Sequence, residues 1–526
     1  MFTNTLYIGL VLVAVGFGTG SAGPNSDPHF AGNRSVIVEM MEWKHSEVAK
    51  ECELFMGPYG YGGVQVSPVH ECAILVNRPW WERYQPVSYK IASRSGDEAQ
   101  FADMVARCNK AGVRVYVDIV LNHMTMAEQG KCKGTAGDAY DGAGEHYSAV
   151  PYEPQDFHGK ESCPNADLNI HDSDNPTEAR MCQMGGLRDL NQARDNVRKH
   201  QADYLNKLID HGVAGFRSDA SQHQWPQDLG AIIASLHTLN TAHGFPANSH
   251  PFFYHEYIEH GPNVKATEYT PLGRVIEFKN YENLARVFRG LNDQRLCYLR
   301  NYGGGPKGWG MLDNNDAVVM VDNHDLQRGH SGDINVTVTF FEPKLLKLTT
   351  AFMLAWPYAV PRIMSSYYWP RNLQRQGDHF IDSNSYIGPP HDSSDNILDV
   401  TRNPDLSCNT DKWICEHRWR QIYNMVAFRN IAGAEPVQHW WEFNNQIAFS
   451  RGSKAYIAIN NDVKPIDMTA DTGLPAGTYC DVISGNLAGG KCTGRQVVVG
   501  ADGKAHIVVD NKWDDTMIAF HIMSKL

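Results

Sequence analysis

The chain of 526 residues is short of several things, and each shortage removes a class of function. Lys and Arg number 47 against 59 Asp and Glu, leaving a net charge of −12. That balance excludes nucleic acid as a partner, because phosphate binding needs a basic face. No CxxC pair and no His-rich cluster occurs, so nothing in the pattern indicates zinc. Beyond the first 22 residues no apolar run approaches the length of a membrane span, and no membrane partner is expected. Internal repeats and low-complexity tracts are missing too, which leaves an ordinary globular protein of more than one domain.

What is present begins with a secretory pattern. Leu6 to Gly18 is apolar and uncharged, and Gly20-Ser-Ala22 supplies small residues for cleavage before Gly23, although the n-region lacks Lys or Arg. Residues 1–22 are therefore expected to be a signal peptide and the protein to be secreted. The sequons Asn33-Arg-Ser35 and Asn335-Val-Thr337 agree with export. Eleven cysteines in an exported chain imply several disulfides and one odd thiol; Cys408/Cys415 and Cys480/Cys492 would close small loops, while spacing alone fixes no connectivity.

Short apolar runs ending in carboxylates carry the functional signal. They are Val213–Asp219, Pro251–Glu256 and Ala317–Asp325, with Val113–Asp118 running on into Asn122-His123. Such runs read as strands buried on both faces, as in a parallel sheet. An acid at the end of one is out of place unless the strand mouth opens on a polar site, and in a (β/α)8 barrel the C-terminal strand ends hold the catalytic groups. Converging carboxylates suit acid/base and nucleophilic work on a neutral substrate, glycoside hydrolysis first. The alternative, that these acids only cap the following helices, fits poorly with Arg217, His123 and His324 beside them.

From Ser35 to about Ile431 strand-like and helix-like segments alternate. Asp97–Lys110 and Asp195–Asp210 read as helices stopped by Gly112 and Gly212, each feeding a carboxylate-ending strand. The fold class is α/β: a (β/α)8 TIM barrel over 23–431, interrupted at 123–189 by an irregular inserted subdomain rich in Gly, Pro, Asp and Asn. Beyond it, 432–526 reads as an all-β sandwich, with strands at Ala455–Ile459, Gly477–Asp481, Gln496–Val499, Ala505–Val509 and Met517–His521.

Four blocks, Asp118-Ile-Val-Leu-Asn122-His123, Gly215-Phe-Arg-Ser-Asp219, Glu256 and Val321-Asp-Asn-His-Asp325, resemble in order the four blocks of the α-amylase family of glycoside hydrolases. Trp80-Trp-Glu-Arg-Tyr84 and the β-rich tail resemble its animal-type, chloride-dependent branch. Ser218–Trp225 and Cys415–Trp419 look nearest to the digestive amylases of mites, the group-four mite allergens. The resemblance implies an endo-acting hydrolase of α-1,4-glucosidic bonds, working with retention on starch, glycogen and maltooligosaccharides as a monomer. Asp219 would be the nucleophile, Glu256 the general acid/base and Asp325 the third carboxylate. Arg217, on the same strand face as Asp219, would keep the nucleophile ionised. His123 and His324 would donate to sugar hydroxyls, and Trp80, Trp81 and Tyr84 would stack on glucose rings; core packing is the plain alternative for each.

The same resemblance implies a calcium ion at Asn122 and Asp189 through side chains and Arg180 and His223 through backbone carbonyls. It also implies a chloride ion at Arg217, Asn323 and Arg362, where salt bridges within the barrel are the alternative. Disulfides Cys52–Cys108, Cys163–Cys182, Cys408–Cys415 and Cys480–Cys492 follow from it as well, with one animal-type bridge missing because no cysteine stands near Ala92. Four departures bear on product pattern: Gln222 where lysine is frequent, Ser218 for an apolar residue, His255 for glutamine, and a shortened Gly329-His-Ser-Gly332 loop. An exo-acting α-glucosidase or transglycosylase, and a non-catalytic carbohydrate-binding protein on the same barrel, are the rival readings; the second would be expected to lose its carboxylates.

Overall fold

The computed structural model describes residues 23–127, 131–377, 379–405 and 407–526; the expected leader lies outside them. Eight parallel strands close into a barrel, each flanked by its predecessor and successor in the chain: Ile37–Met40, Gly63–Val66, Arg114–Ile119, Gly215–Ser218, Phe252–His255, Arg274–Ile276, Ala317–Val319 and Val360–Ser365. Nearly every residue in them is buried, because the outer face meets helices and the inner face meets the other strands. At Gly215 the strands approach so closely that a Cβ would lie 2.1 Å from the Phe252 carbonyl oxygen.

The helix Glu98–Lys110 starts at an Asp97–Gln100 capping box and is followed by Gly112 at φ +72°. Asp195–Asp210 is helical as expected, with Gly212 at φ +99° behind it. These left-handed positions turn the chain straight into the third and fourth strands. The sixth strand is absent from the sequence reading: at three residues, opened by Arg274, it is too short to register as an apolar run. The third strand runs one residue past Asp118, so this fully buried carboxylate sits inside the barrel rather than at its mouth. The seventh ends at Val319, leaving Asp322–Asp325 on the loop beyond.

Between the third and fourth strands the chain builds an irregular unit. His123–Met126 pairs antiparallel with Leu187–Asp189, bringing the two ends of the excursion together. Met124, Tyr140, Tyr147, Tyr152 and Phe157 form a small apolar cluster of its own. The four disulfides Cys52–Cys108, Cys163–Cys182, Cys408–Cys415 and Cys480–Cys492 are all present.

The tail forms two four-stranded antiparallel sheets, one of Val437–Phe443, Gln446–Arg451, Ala455–Asn460 and Met517–His521, the other of Ile466–Asp471, Lys504–Val509, Gln496–Val499 and Gly477–Cys480. Val437–Phe443, Gln446–Arg451 and Ile466–Asp471 are strands that the sequence pattern did not disclose. Alternation in the first sheet decides what lies on each side. Ile447, Phe449, Ile457 and Ile459 join the barrel's core, while Ala448, Tyr456 and Ala458 face the second sheet. A polar clamp reinforces the junction, with Arg451 donating to the Ala355 carbonyl at 2.6 Å, while within the barrel Arg429 donates to the carbonyls of Trp356 and Ala359 at 2.7 and 2.6 Å.

Candidate active site

The inward-facing residues near the strand ends are polar. Gln65 accepts from Tyr254 Oη at 2.8 Å and from Arg362 Nη1 at 2.7 Å, joining the second, fifth and eighth strands. Arg217 is the hub. Its Nη1 donates to Asp118 Oδ1 at 2.8 Å and Asp219 Oδ1 at 2.7 Å, and its Nη2 to Glu256 Oε1. Burial would lower the Arg217 pKa, but Asp118, Glu256 and Asp219 raise it well above the ordinary value, so the guanidinium stays charged.

Asp219 and Glu256 leave adjacent strands and meet over this cation. Glu256 Oε2 also accepts from the Ala220 amide at 2.9 Å. Burial and the neighbouring Glu256 charge raise the Asp219 carboxyl well above the usual range, against the pull of Arg217. Arg217 does contact Asp219 as expected, but the same cation is shared among three buried carboxylates, Asp118, Asp219 and Glu256. Asp325 stands on the far side, with Oδ2 3.6 Å from His324 Nε2. His324 Nδ1 lies 2.6 Å from Glu39 Oε1. Against burial, the Asp325 and Glu39 carboxylates raise the His324 imidazole. Glu39 in turn, though burial would raise it, is brought down to about 2 by Arg362 and His324.

These groups face a pocket of 330 Å3 that includes Trp80, Trp81, Tyr84, His123, His324 and Asp325, with Asp219 and Glu256 on its floor. The aromatic residues come from the short 3-10 helix Trp80–Tyr84. Trp80 is 4 % exposed and fixed by its indole N–H to the Ser385 carbonyl at 2.8 Å, so it acts as wall more than as open platform. Trp81 and Tyr84 are half-buried; Tyr84 stacks on His324 at 5.2 Å and donates to Asp118 Oδ2 at 2.9 Å. His123 has both ring nitrogens engaged. Nε2 lies 2.9 Å from the Tyr84 carbonyl and Nδ1 3.3 Å from Asn122 Nδ2. Burial lowers its pKa to about 4, so the neutral ring donates through Nε2 and has no second N–H for a sugar.

Asn122 and Asp189 come together at the base of the inserted unit, each with a buried side-chain oxygen, Oδ1, that has no hydrogen-bond partner among the described residues. Burial raises the Asp189 carboxyl to about 6, against His158 and Asn122. Arg180 lies in the last turn of the short helix Pro176–Met181, and His223 Nδ1 lies 2.7 Å from the Ala179 carbonyl, which brings the backbones around Arg180 and His223 together. Two orphaned oxygens and a costly carboxylate suit a hard cation. Around the barrel axis three donors, Arg217 Nε, Arg362 Nε and Asn323 Nδ2, are buried without hydrogen-bond partners among the described residues, beside one such acceptor, Glu39 Oε2, 3.4 Å from Arg362 Nη1. The three donors suit an anion.

Sequence reasoning missed Glu39 and Gln65, both in buried strands, and the pocket residues Met184, Leu187, Ala220, Ile258, His330 and Ser331. The first two carry the same signal as the strand-end acids, a polar residue inside an apolar run. Leu187 lies on a three-residue strand and the others on loops without a local pattern, although His330 and Ser331 belong to the Gly329–Gly332 loop noted from the sequence.

Comparison with known proteins gives a consistent picture. Residues 60–267 match the model of the alpha amylase catalytic domain, and 440–522 that of the alpha amylase C-terminal all-beta domain. The chain is 56% identical over 504 residues to an alpha-amylase of Dermatophagoides pteronyssinus, covering 95% of this chain and 99% of that one. It is 46% identical over 523 residues to the pancreatic alpha-amylase of Homo sapiens, covering 98% and 99%. Among solved structures it resembles alpha-amylase I of Eisenia fetida in complex with maltohexaose, with TM-score 0.89, 46% identity and coverage of 94% and 99%.

Proposed function

Since the chain belongs to the α-amylase family of glycoside hydrolases and is an α-amylase, we propose that Asp219, Glu256 and Asp325 carry an endo-acting, retaining hydrolysis of α-1,4-glucosidic bonds in starch, glycogen and maltooligosaccharides. The observation that carries this assignment is the contact of both Asp219 and Glu256 with one guanidinium on the floor of the pocket.

Glu256, as general acid, protonates the glycosidic oxygen while Asp219 attacks the anomeric carbon, giving a covalent glycosyl-enzyme and a free leaving end. Glu256 then takes a proton from water, which releases the sugar with its original anomeric configuration. Only one proton is needed for the pair; Arg217 favours an ionised Asp219 as nucleophile, and two carboxyls this close disfavour both being charged at once, which leaves the proton for Glu256. Asp325, paired with His324, is placed to accept from ring hydroxyls and to favour the positive charge that develops at the anomeric centre. Trp81 and Tyr84 offer partly open ring faces for stacking, and His324 a ring nitrogen whose pKa the Asp325 and Glu39 carboxylates raise against burial.

Asn122, Asp189 and the carbonyls of Arg180 and His223 would hold calcium, whose contribution is structural: it fastens the inserted unit to the barrel. Arg217, Arg362 and Asn323 would hold chloride, which when bound offsets part of the positive field at Glu256. The four disulfides suit an oxidising compartment, and a secreted, digestive role follows from that and from the likeness to pancreatic amylase.

The test is reducing-end release from soluble starch, with and without chloride, beside Glu256→Gln. The variant is expected to lose about 1,000-fold in kcat, the scale of a general acid, with proton NMR of the first product reporting the α-anomer. A β-anomer would sink the retaining mechanism, and glucose as sole early product from maltoheptaose would replace endo action by the exo reading.

A further inference from the structure

Behind the loop that carries Asp325 runs a chain of buried polar groups that hydrolysis does not use. Glu416 opens the turn Glu416–Arg418, just after the Cys408–Cys415 bridge, and is 2 % exposed. It accepts from the Ser366 amide at 2.8 Å and from the Ser366 hydroxyl, at the end of the eighth strand. Gln327 Nε2 donates both to Ser366 Oγ and to Asp322 Oδ2, each at 2.7 Å. Asp322 begins the loop that Asn323 and Asp325 continue; Asn323 Oδ1 accepts from the Leu326 amide at 2.8 Å and the Asp325 carbonyl from the Arg328 amide at 2.9 Å. The path from Glu416 to Asp325 is thus hydrogen-bonded or covalent at every step.

Asp322 and Glu416 face each other across a closed cavity of 10 Å3. The helix Pro343–Ala355 brings Leu346, Thr350 and Met353 to it and the helix Arg420–Ala432 brings Ile422, none of them charged. The charged groups nearby are committed elsewhere. Arg362, on the eighth strand, donates to Gln65 and lies 3.4 Å from Glu39 on the first. His417 contacts Ser365 and Glu51, and Arg418 also binds Glu51. Among the described residues no cation hydrogen-bonds to or pairs with either facing carboxyl, and Arg362 acts on Asp322 only from a distance.

We infer that Glu416 is a positioning residue for Asp325: through Ser366 and Gln327 it ties the Asp322–Asp325 loop to the eighth strand, and a second negative charge opposite Asp322 pushes against that loop even though the charged carboxylate grips Ser366 more firmly. Burial, opposed by the Ser366 hydrogen bonds, pushes the Glu416 carboxyl up to about 7. Burial raises Asp322 as well, with Gln327 opposing and the Glu416 charge adding to the rise. Below neutrality the facing pair keeps a proton; above it, a second negative charge enters a cavity with no counterion. The inference rests on the assignment of Asp325 made above.

It is tested on the full-length enzyme, loaded with calcium and chloride, by following kcat and KM on maltoheptaose across the neutral range for wild type, E416Q, S366A and D325N. E416Q, permanently neutral, is expected to move the alkaline midpoint of kcat upward by about one pH unit. S366A is expected to lower kcat at every pH, with KM held within about twofold. Superimposable E416Q and wild-type profiles, or a change confined to KM, would overturn the inference. Should E416Q fail to fold by circular dichroism, S366A decides: wild-type kcat in S366A overturns it. Full activity in D325N would bring down the Asp325 assignment, and the inference with it, whereas an inactive D325N beside an unmoved E416Q profile removes the inference alone.

Discussion

At position 217 one guanidinium reaches carboxylates on the third strand and at the ends of the fourth and fifth, while Arg362 on the eighth reaches Gln65 and Glu39. Both keep a buried Nε without a hydrogen-bond partner among the described residues, and Asn323 Nδ2 lies in the same state. If these donors take an anion, then Arg362→Gln removes part of the site without touching a catalytic group. Its starch hydrolysis is expected to lose most of the rise that chloride gives the wild type, as read from initial rates against chloride concentration; an unchanged chloride response would refute the assignment. At this scale the site was half legible. Asp219, Glu256 and Asp325 stood out because an acid closing an apolar run is anomalous. Glu39 and Gln65 broke the same rule inside the first two strands and went unread, because a single polar residue within four or five apolar ones resembles an ordinary edge position. The ring nitrogens of His123 could not be read at all, since their partners, Tyr84 and Asn122, are fixed only by tertiary contact.

Elements were legible where local grammar governs them. The Asp97 capping box, the stops at Gly112 and Gly212 and the long apolar strands all follow from adjacent residues. The three-residue sixth strand did not, nor did Ile466–Asp471, whose outward alternate residues hide its period. The inserted unit is the extreme case: it has little regular structure and a small core, so covalent closure matters more there than in the barrel. Its Cys163–Cys182 bridge spans 19 residues. Replacing both cysteines with alanine is expected to cost about 3 kcal/mol, felt first as local opening. Limited proteolysis between residues 159 and 189, faster in the variant while the barrel resists, is the measurement; equal cleavage rates would show that the bridge constrains nothing there.

The whole molecule is joined by a sheet used on both faces. Because Ile447, Phe449, Ile457 and Ile459 pack into the barrel's core, a chain ending at residue 431 would leave its own apolar face bare. Expressed alone, that fragment is expected in the insoluble fraction, and a soluble, cooperatively melting fragment would contradict it. Acid should weaken the intact protein. His45 and His70 are held at about 3, and His255 and His521 at about 4, chiefly by burial. Each is neutral when folded and takes a proton below its ordinary value of 6.5 when unfolded, so stability is full above that value and falls as the pH drops toward 4. Each contributes a slope of about 1.4 kcal/mol per pH unit in that window. His255→Gln should flatten the pH dependence of urea unfolding by about that amount, and an unaltered slope would refute it. The division into barrel and β tail was readable from alternation and spacing, but the fusion of their cores was not, since a strand's pattern tells which faces are apolar and not what covers them.

Asp219 and Glu256 leave neighbouring strands, yet both are held by the Arg217 side chain on the floor beneath. Their separation is therefore set by the strand register, one rigid planar group and the Ala220 amide on the turn after the fourth strand. Trp81 and Ser331 make no hydrogen bond to either carboxyl among the described residues, so changes there are expected to leave the proposed bond-breaking pair in place. For anyone wishing to re-tailor which saccharides this enzyme yields, the rim is the editable part and the floor is the fixed instrument.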